Sequence, residues 1–590
     1  MSATAAFADN PIVQTSYTAD PAPMVYDGRL YLYTSHDEDV TVNNFFTMND
    51  WRLYSTTDMV NWTDHGSPAG YKTFSWGTGD AWAPMGVARN GKFYLYVPIN
   101  NSTGSKIGVA VASNPWGPFT DPLGKALIST GSGNIDPTVF IDDDGQAYLY
   151  WGNPDLYYVK LNADMTSFTG GTTKVSLTTA GFGTRSDTTR ATAYEEGPWF
   201  YKRGSLYYIV YPADGTPEKI SYTTSSGPLG PWMYRGDIMA KETGSGSSFT
   251  NHPGIIDYKG KSFFFYHNAA LPGGGGYKRS VCVEEFTYGT DGSIPMIKMT
   301  TAGPAPVDTL NPYQQVEAET IAFSSGLKTE VCTDTGAGMN VTSISNGDYI
   351  KVKNLDFGEG PTAFDARVSG AGSNAKIELH LDSQTGTSLG TCDVSGASMW
   401  TTKSCTVSGT TGKHDLFLKF TGGSGDLFKF NWWKFTPKNP TMDGGTPDGG
   451  GMDGGSGGAG AGGMGGRPSG SGGATDAGVG DAGSGGTKAG SGGTSGGTGG
   501  QAMGTGGGSG GAQAGSGGTG GQTATGSGGK TSASGGSGGV AAGTGGANIG
   551  SGGQGSGGVS GASGGSGSNA TGGDSGCACQ TAAHQSNSLG

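Results

Sequence analysis

The sequence predicts an all-β chain built on a five-bladed propeller, and three observations lead there. Short runs rich in Tyr, Phe and Trp alternate with Gly, Pro, Asn and Asp over everything before Lys438. No amphipathic pattern of several helical turns interrupts them. A glycine followed by an aromatic strand recurs five times: Gly28 (GRLYLY), Gly91 (GKFYLY), Gly145 (GQAYLY), Gly204 (GSLYYIVY) and Gly260 (GKSFFFYH).

The intervals between these glycines are 63, 54, 59 and 56 residues, each long enough for one four-stranded antiparallel sheet with its turns. Radial repetition of such sheets protects most strand edges, so five repeats predict five blades. Asp27-Gly28, Asn90-Gly91 and Asp144-Gly145 are favoured pairs for tight hairpin turns. The strand before each turn is then the inner neighbour in its blade, and it starts eight or nine residues earlier. Those starts are Asp20 (DPAPMVYDG), Trp82 and Ala83 (WAPMGVARNG), Asp136 (DPTVFIDDDG), Glu196 (EGPWFYKRG) and His252 (HPGIIDYKG).

Equivalent positions in a propeller lie at equivalent heights around one axis. Asp20, Asp136 and Glu196 are therefore expected to converge at one mouth of the central channel, with His252 beside them. An aspartate before proline is ordinary turn chemistry when it occurs once. Three acids at one repeat phase are different, because crowded carboxylates repel and raise at least one pKa. Glycosidic bond cleavage uses such a set: one carboxylic acid protonates the leaving oxygen and one carboxylate activates water or attacks carbon.

The quoted segments ADPAPMVYDGRLYLYTSHDE, IDPTVFIDDDGQAYLYWG and EGPWFYKRGSLYYIVY resemble the three acidic motifs of glycoside hydrolase family 43, in order and spacing, from about Asn10 to Gly303. Trp82-Ala83-Pro84 and Asn251-His252-Pro253-Gly254 resemble further segments of that family. The resemblance implies an inverting hydrolase in which Asp20 is the general base, Glu196 the general acid and Asp136 the residue that raises and positions the acid. It also implies a base–acid separation of roughly 6.5–9.5 Å. Glu195 is a rival acid, but strand alternation sends Glu195 and Glu196 to opposite faces, and Glu196 heads the EGP segment. By the same resemblance His252 helps hold a metal, often calcium, through water, or else is a packed, hydrogen-bonded histidine. Arg279, in YKRS, is a candidate partner for an active-site carboxylate, and Trp82 either walls the sugar subsite or packs in the core.

After Pro304-Ala305-Pro306 the chain changes register, and residues 304–312 read as a linker. From about residue 313 to 436, NPYQQVEAET, SNGDYIKVKNLDFG and the closing MWTTKSCTVSG…FNWWKF resemble a carbohydrate-binding module of family 6, a jelly-roll β-sandwich. That resemblance implies that Tyr349 and Trp400 clamp a sugar ring between aromatic faces, against the alternative of cross-strand packing. It implies too that Glu317 and Glu319 bind a structural calcium. Asn431 stands where such modules often carry an aspartate, which removes one charge from the site.

The stretch 437–576 is dominated by Gly, Ser, Thr and Ala without an aromatic residue, too little apolar surface to offset the entropy of ordering. It is expected to be a tether whose ends lie roughly 60–70 Å apart. Cys577-Ala578-Cys579 in the terminal stub 577–590 lacks the second half of a zinc site. The tail resembles surface-anchoring ends of bacterial secreted proteins, so cell-surface attachment is one expectation and a stub without function the other.

A net charge of −13 speaks against nucleic acid. No apolar run reaches the length of a membrane span. Residues 1–9 are expected to be a disordered remnant without an intact signal peptide. Cys392 and Cys405 could bridge neighbouring strands in an oxidising compartment, and Cys282 reads as a buried strand residue. The combined expectation is a secreted or cell-surface bacterial monomer. It hydrolyses arabinoxylan or xylan, releasing L-arabinofuranose or xylose. A non-catalytic glycan-binding protein, or the same chemistry on arabinan or galactan, is the alternative.

Overall fold

The computed structural model describes residues 9–130, 133–244, 246–336 and 338–439. The expected tether and the terminal CxC lie outside them. Nearly all regular structure is β. Helix among the described residues is confined to one turn at Thr179–Phe182 and a 3₁₀ turn at Tyr71–Thr73, and no helix is long and apolar enough to cross a membrane.

Five antiparallel sheets follow one another from Tyr17 to Phe286. Their first strands are Tyr17–Tyr26, Met85–Arg89, Thr138–Ile141, Trp199–Arg203 and Gly254–Tyr258, and each pairs with the strand that follows it in sequence. The five hairpin glycines carry φ between 59° and 81°, the left-handed region the repeat requires of them. The strand Tyr17–Tyr26 contacts both Met85–Arg89 and Gly254–Tyr258, so the last sheet returns to the first. The fifth sheet has three strands, and residues 10–13 run beside its last one, Ser280–Phe286. There the Ile12 N–H donates to Val281 O at 2.9 Å, and the Asn10 amide imitates a strand by accepting from Val283 N–H at 3.0 Å and donating to Val283 O at 3.1 Å. The apolar interior between the sheets is aromatic, with Trp51, Trp151, Tyr96, Phe264 and Tyr266 all buried.

Beyond residue 313 the chain forms two antiparallel sheets of six and five strands around a core that includes Phe364, Trp433, Phe435, Leu379 and Leu418. Cys392 and Cys405 are joined by a disulfide between Ser388–Asp393 in one sheet and Thr401–Thr406 in the other. Cys282 is buried within its strand, as its setting in the sequence predicts.

The expected linker is tied down rather than free. Val307 N–H donates to Asp58 O at 2.9 Å, and Leu310 N–H to Asn354 O at 3.2 Å. The short strand Thr320–Ile321 pairs with Trp62–Asp64, extending the first sheet. The side chain of Asn61 forms hydrogen bonds with both backbone groups of Lys353.

Candidate active site

Asp20 interrupts its own strand. Ala19 pairs with Ser35 and Ala22 with Tyr33, so Asp20 and Pro21 together face a single residue of the neighbouring strand, a bulge that re-aims the aspartate. Asp20 and Asp136 both adopt φ above +50°, a conformation unusual for residues with a side chain and found preferentially where function holds it. Each precedes a proline, which disfavours the right-handed helical region at that position. Gly197, after Glu196, takes the left-handed φ in the fourth sheet.

These starts converge, as the repeat phase predicts. Asp20, Asp136, Glu196 and His252 line one pocket of about 290 Å³ together with Trp82, Ala83, Phe45, Phe46, Asn153 and Arg279. His252 is the hub: its Nδ1 lies 3.1 Å from Asp20 Oδ1 and its Nε2 3.2 Å from Glu196 Oε1. Burial alone would strip the proton from this imidazole. The surrounding Asp20, Asp136 and Glu196 carboxylates reverse that and push its pKa up to about 10.

Asp20 is held ionised. Burial works to raise its pKa, but Arg279, His252 and His267 together with the Ser35 hydroxyl overcome it and hold the carboxyl well below the usual range. Ser35 Oγ donates to Asp20 Oδ2 at 2.5 Å and Arg279 Nη1 to Oδ1 at 3.2 Å. Arg279 is itself fixed by a two-pronged contact with Asp37, Nε to Oδ2 and Nη2 to Oδ1 at 2.9 Å each, and lies over the Phe46 ring at 4.7 Å. It partners an active-site carboxylate and also lines the pocket.

The family resemblance implies that Asp136 raises the pKa of Glu196. In the structure the raised carboxyl is Asp136, pushed up to about 7 by burial and by Glu196 and Asp20, with the Gly197 N–H at 3.2 Å as its hydrogen-bond donor. Glu196 is also buried. However, it accepts from the Asn153 amide and lies against charged His252, and its pKa is lowered. The two carboxyls titrate as one coupled pair, in which burial favours keeping a proton while charged His252 favours releasing it.

Glu195 turns the other way and forms ion pairs with Arg185 and Arg190, which removes it as a rival acid. Trp82 is half-buried; it lines the pocket, packs on the core and accepts the Trp51 indole N–H on its carbonyl at 2.6 Å. Both ring nitrogens of His252 are engaged by carboxylates. A direct bond from His252 to a cation would break one of those contacts.

Ser35, Asp37, Asn153 and His267 escaped the sequence argument. All lie at or just past the ends of second strands, which run antiparallel to the first strands and so return to the same mouth. That phase was available in the repeat. Phe45 and Phe46 come from an irregular loop and carried no periodic signal.

In the second domain the expected pairs are not brought together equally. Tyr349 lies near Phe323 and Phe417, with ring centres 6.3 and 5.9 Å away, in the five-stranded sheet. Trp400 directs its indole N–H to Thr333 Oγ1 at 3.0 Å, beside the six-stranded sheet. No ring contact joins Tyr349 and Trp400 among the described residues. Glu317 accepts from Gln315 at 2.9 Å, whereas Glu319 is buried with Oε2 lacking a partner. That orphaned oxygen suits an oxygen-coordinated cation. Asn431 directs its amide N–H to Asp334 Oδ2 at 3.0 Å.

The sequence profile described as glycosyl hydrolases family 43 matches residues 8–294, and that of carbohydrate binding module family 6 matches residues 317–437. An arabinoxylan arabinofuranohydrolase of Bacillus subtilis is 36% identical over 73% of this chain and 92% of its own length. The chain belongs to glycosyl hydrolase family 43. It also resembles an arabinoxylan arabinofuranohydrolase of Paenibacillus polymyxa, 35% identical over 72% of this chain and 74% of the relative. The crystal structure of a family 43 arabinoxylan arabinofuranohydrolase from Bacillus subtilis, in complex with cellotetraose, superposes with a TM-score of 0.63 at 33% identity, covering 73% of this chain and 97% of that one. A protein named xylosidase/arabinosidase 43A of Humicola insolens is 31% identical over 48% of this chain and 98% of its own length.

Proposed function

We propose that this hydrolase releases L-arabinofuranose from arabinoxylan with inversion, and xylose from xylan-derived chains as a secondary product. The observation that carries the reading is a small pocket in which one imidazole separates Asp20 from Glu196. A ring and two hydrogen bonds lie between the two carboxyl groups, which suits the roughly 6.5–9.5 Å that leaves room for water in an inverting pair. Its volume, about 290 Å³, is at the lower end for ligand sites and fits a terminal sugar ring.

Asp20 takes a proton from the water that attacks the anomeric carbon. Glu196 gives a proton to the glycosidic oxygen as the bond to the departing chain breaks. Asp136 shares that proton with Glu196 and supplies it when the leaving oxygen arrives. Arg279 and Ser35 keep Asp20 ionised and aimed, while Trp82, Phe45 and Phe46 exclude water around the ring. All three acids are kept and face one pocket, an arrangement a purely glycan-binding protein has no need for.

We read the five sheets as the five blades of a propeller and the two later sheets as a jelly roll that binds the polysaccharide, with Tyr349 and Trp400 as separate contacts. Calcium at Glu317 and Glu319, secretion to the cell surface and a monomeric state belong to the same reading. The test is product analysis on wheat arabinoxylan and linear xylo-oligosaccharides, with the anomer followed by proton NMR. Arabinose appearing first as the inverted anomer supports the proposal. Xylose alone would move the substrate to the backbone, and retention would overturn the mechanism.

A further inference from the structure

A second opening lies on the same end of the molecule as the catalytic pocket. It is a groove of about 580 Å³ whose lining includes Trp76, Asn101, Thr103, Lys106, Lys125 and Ser129. Register fixes its place. Met85 pairs with Tyr96, so the strand Lys92–Asn101 runs five residues further toward the catalytic mouth before its hairpin returns at Gly104. Asn134 donates to Ser105 O at 3.2 Å. Next to these two residues in the chain stand Ile135, which lines the catalytic pocket, and Lys106, which lines the groove.

Lys106 is the informative residue. It is 8% exposed, its ammonium donates to Thr103 O at 3.3 Å, and it forms no ion pair among the described residues. Its stem is buried while its ammonium belongs to the groove lining without an ion pair, and the neighbouring exposed Lys125 adds a second positive charge on the open side. Trp76 is half-buried, and its indole N–H bonded to Asp121 Oδ2 at 3.0 Å fixes the ring. An aromatic face beside two cations and the hydroxyls of Thr103 and Ser129 matches an acidic sugar, whose C–H face stacks on the ring while its carboxylate meets the lysines.

We propose that this groove binds a uronic acid side group carried by the same hemicellulose chain that presents arabinose to the catalytic pocket. The inference rests on the reading of the substrate as a decorated hemicellulose. The enzyme would then favour backbones bearing both neutral and acidic branches, holding the acidic branch while it removes the neutral one.

The test uses the full chain and reads binding alone. Isothermal titration calorimetry compares a glucuronic-acid-substituted xylo-oligosaccharide, free of arabinose, with its unsubstituted counterpart. The acidic oligosaccharide is expected to bind roughly fivefold more tightly, with a preference that shrinks as salt is added. Lys106→Gln should abolish the preference and Lys125→Gln reduce it; the exposed Lys125 keeps the test decisive if the buried substitution fails to fold. Equal affinity for both oligosaccharides in the wild type, or a preference that survives both substitutions, would overturn the proposal. Arabinose release is a separate readout, so failure of either reading is seen independently.

Discussion

In the proposed mechanism Asp136 and Glu196 divide the work of one proton. Burial and its carboxylate neighbours push the Asp136 pKa up to about 7, and the two carboxyls titrate as a pair. Activity needs that proton, so kcat/KM should fall as pH rises through about 7, while Asp20, held low, leaves the acid side flat down to the ordinary carboxylate range. A pH–rate profile checks this; Asp136→Asn, which removes the shared site, should lower kcat and displace the alkaline limb. Arg279 is a second residue whose loss has a stated consequence. Arg279→Ala would leave Asp37 buried without its cation and Asp20 with His252 as its remaining cation, and a destabilisation of about 3–5 kcal/mol is expected in denaturant unfolding. The three acids were legible because each opens a repeat. The direction of the pKa shift was not, because it depends on Asn153 and His252 contacting Glu196 rather than Asp136, a matter of side-chain placement that spacing does not encode.

At the level of elements, hairpin glycines and aromatic strands announced the five sheets, whereas the joints between them stayed hidden. The seam between the last sheet and the segment before the first is sewn partly by a side chain, Asn10, whose amide pairs with both backbone groups of Val283 and also reaches Glu284. A single asparagine before the first repeat gives no periodic signal. Asn10→Ala would leave these buried groups unpaired, and a loss of about 2 kcal/mol is expected, read as a lower midpoint in urea. In the second domain the Cys392–Cys405 bridge closes a loop with a sequence separation of 13 residues. Its reduction should lower the stability of that domain by about 3 kcal/mol without altering hydrolysis of a small aryl arabinofuranoside, since neither cysteine approaches the pocket.

Across the whole molecule, the sequence separated two domains at a Pro-rich linker, and the structure joins them through the strand Thr320–Ile321 and the Asn61–Lys353 pairing. Sequence marks a change of register well, but long-range strand pairing between domains leaves no local trace. On the proposed function, tying the second domain to the catalytic one would keep the pocket near the polysaccharide that the second domain binds. The central claim is that Glu196 protonates the departing chain in this pocket. It is tested most directly by measuring arabinose released from wheat arabinoxylan by the wild-type protein and by Glu196→Ala under identical conditions. The account predicts release by the wild type and a loss of roughly 10²–10⁴-fold in the variant. Equal release by both proteins would contradict it.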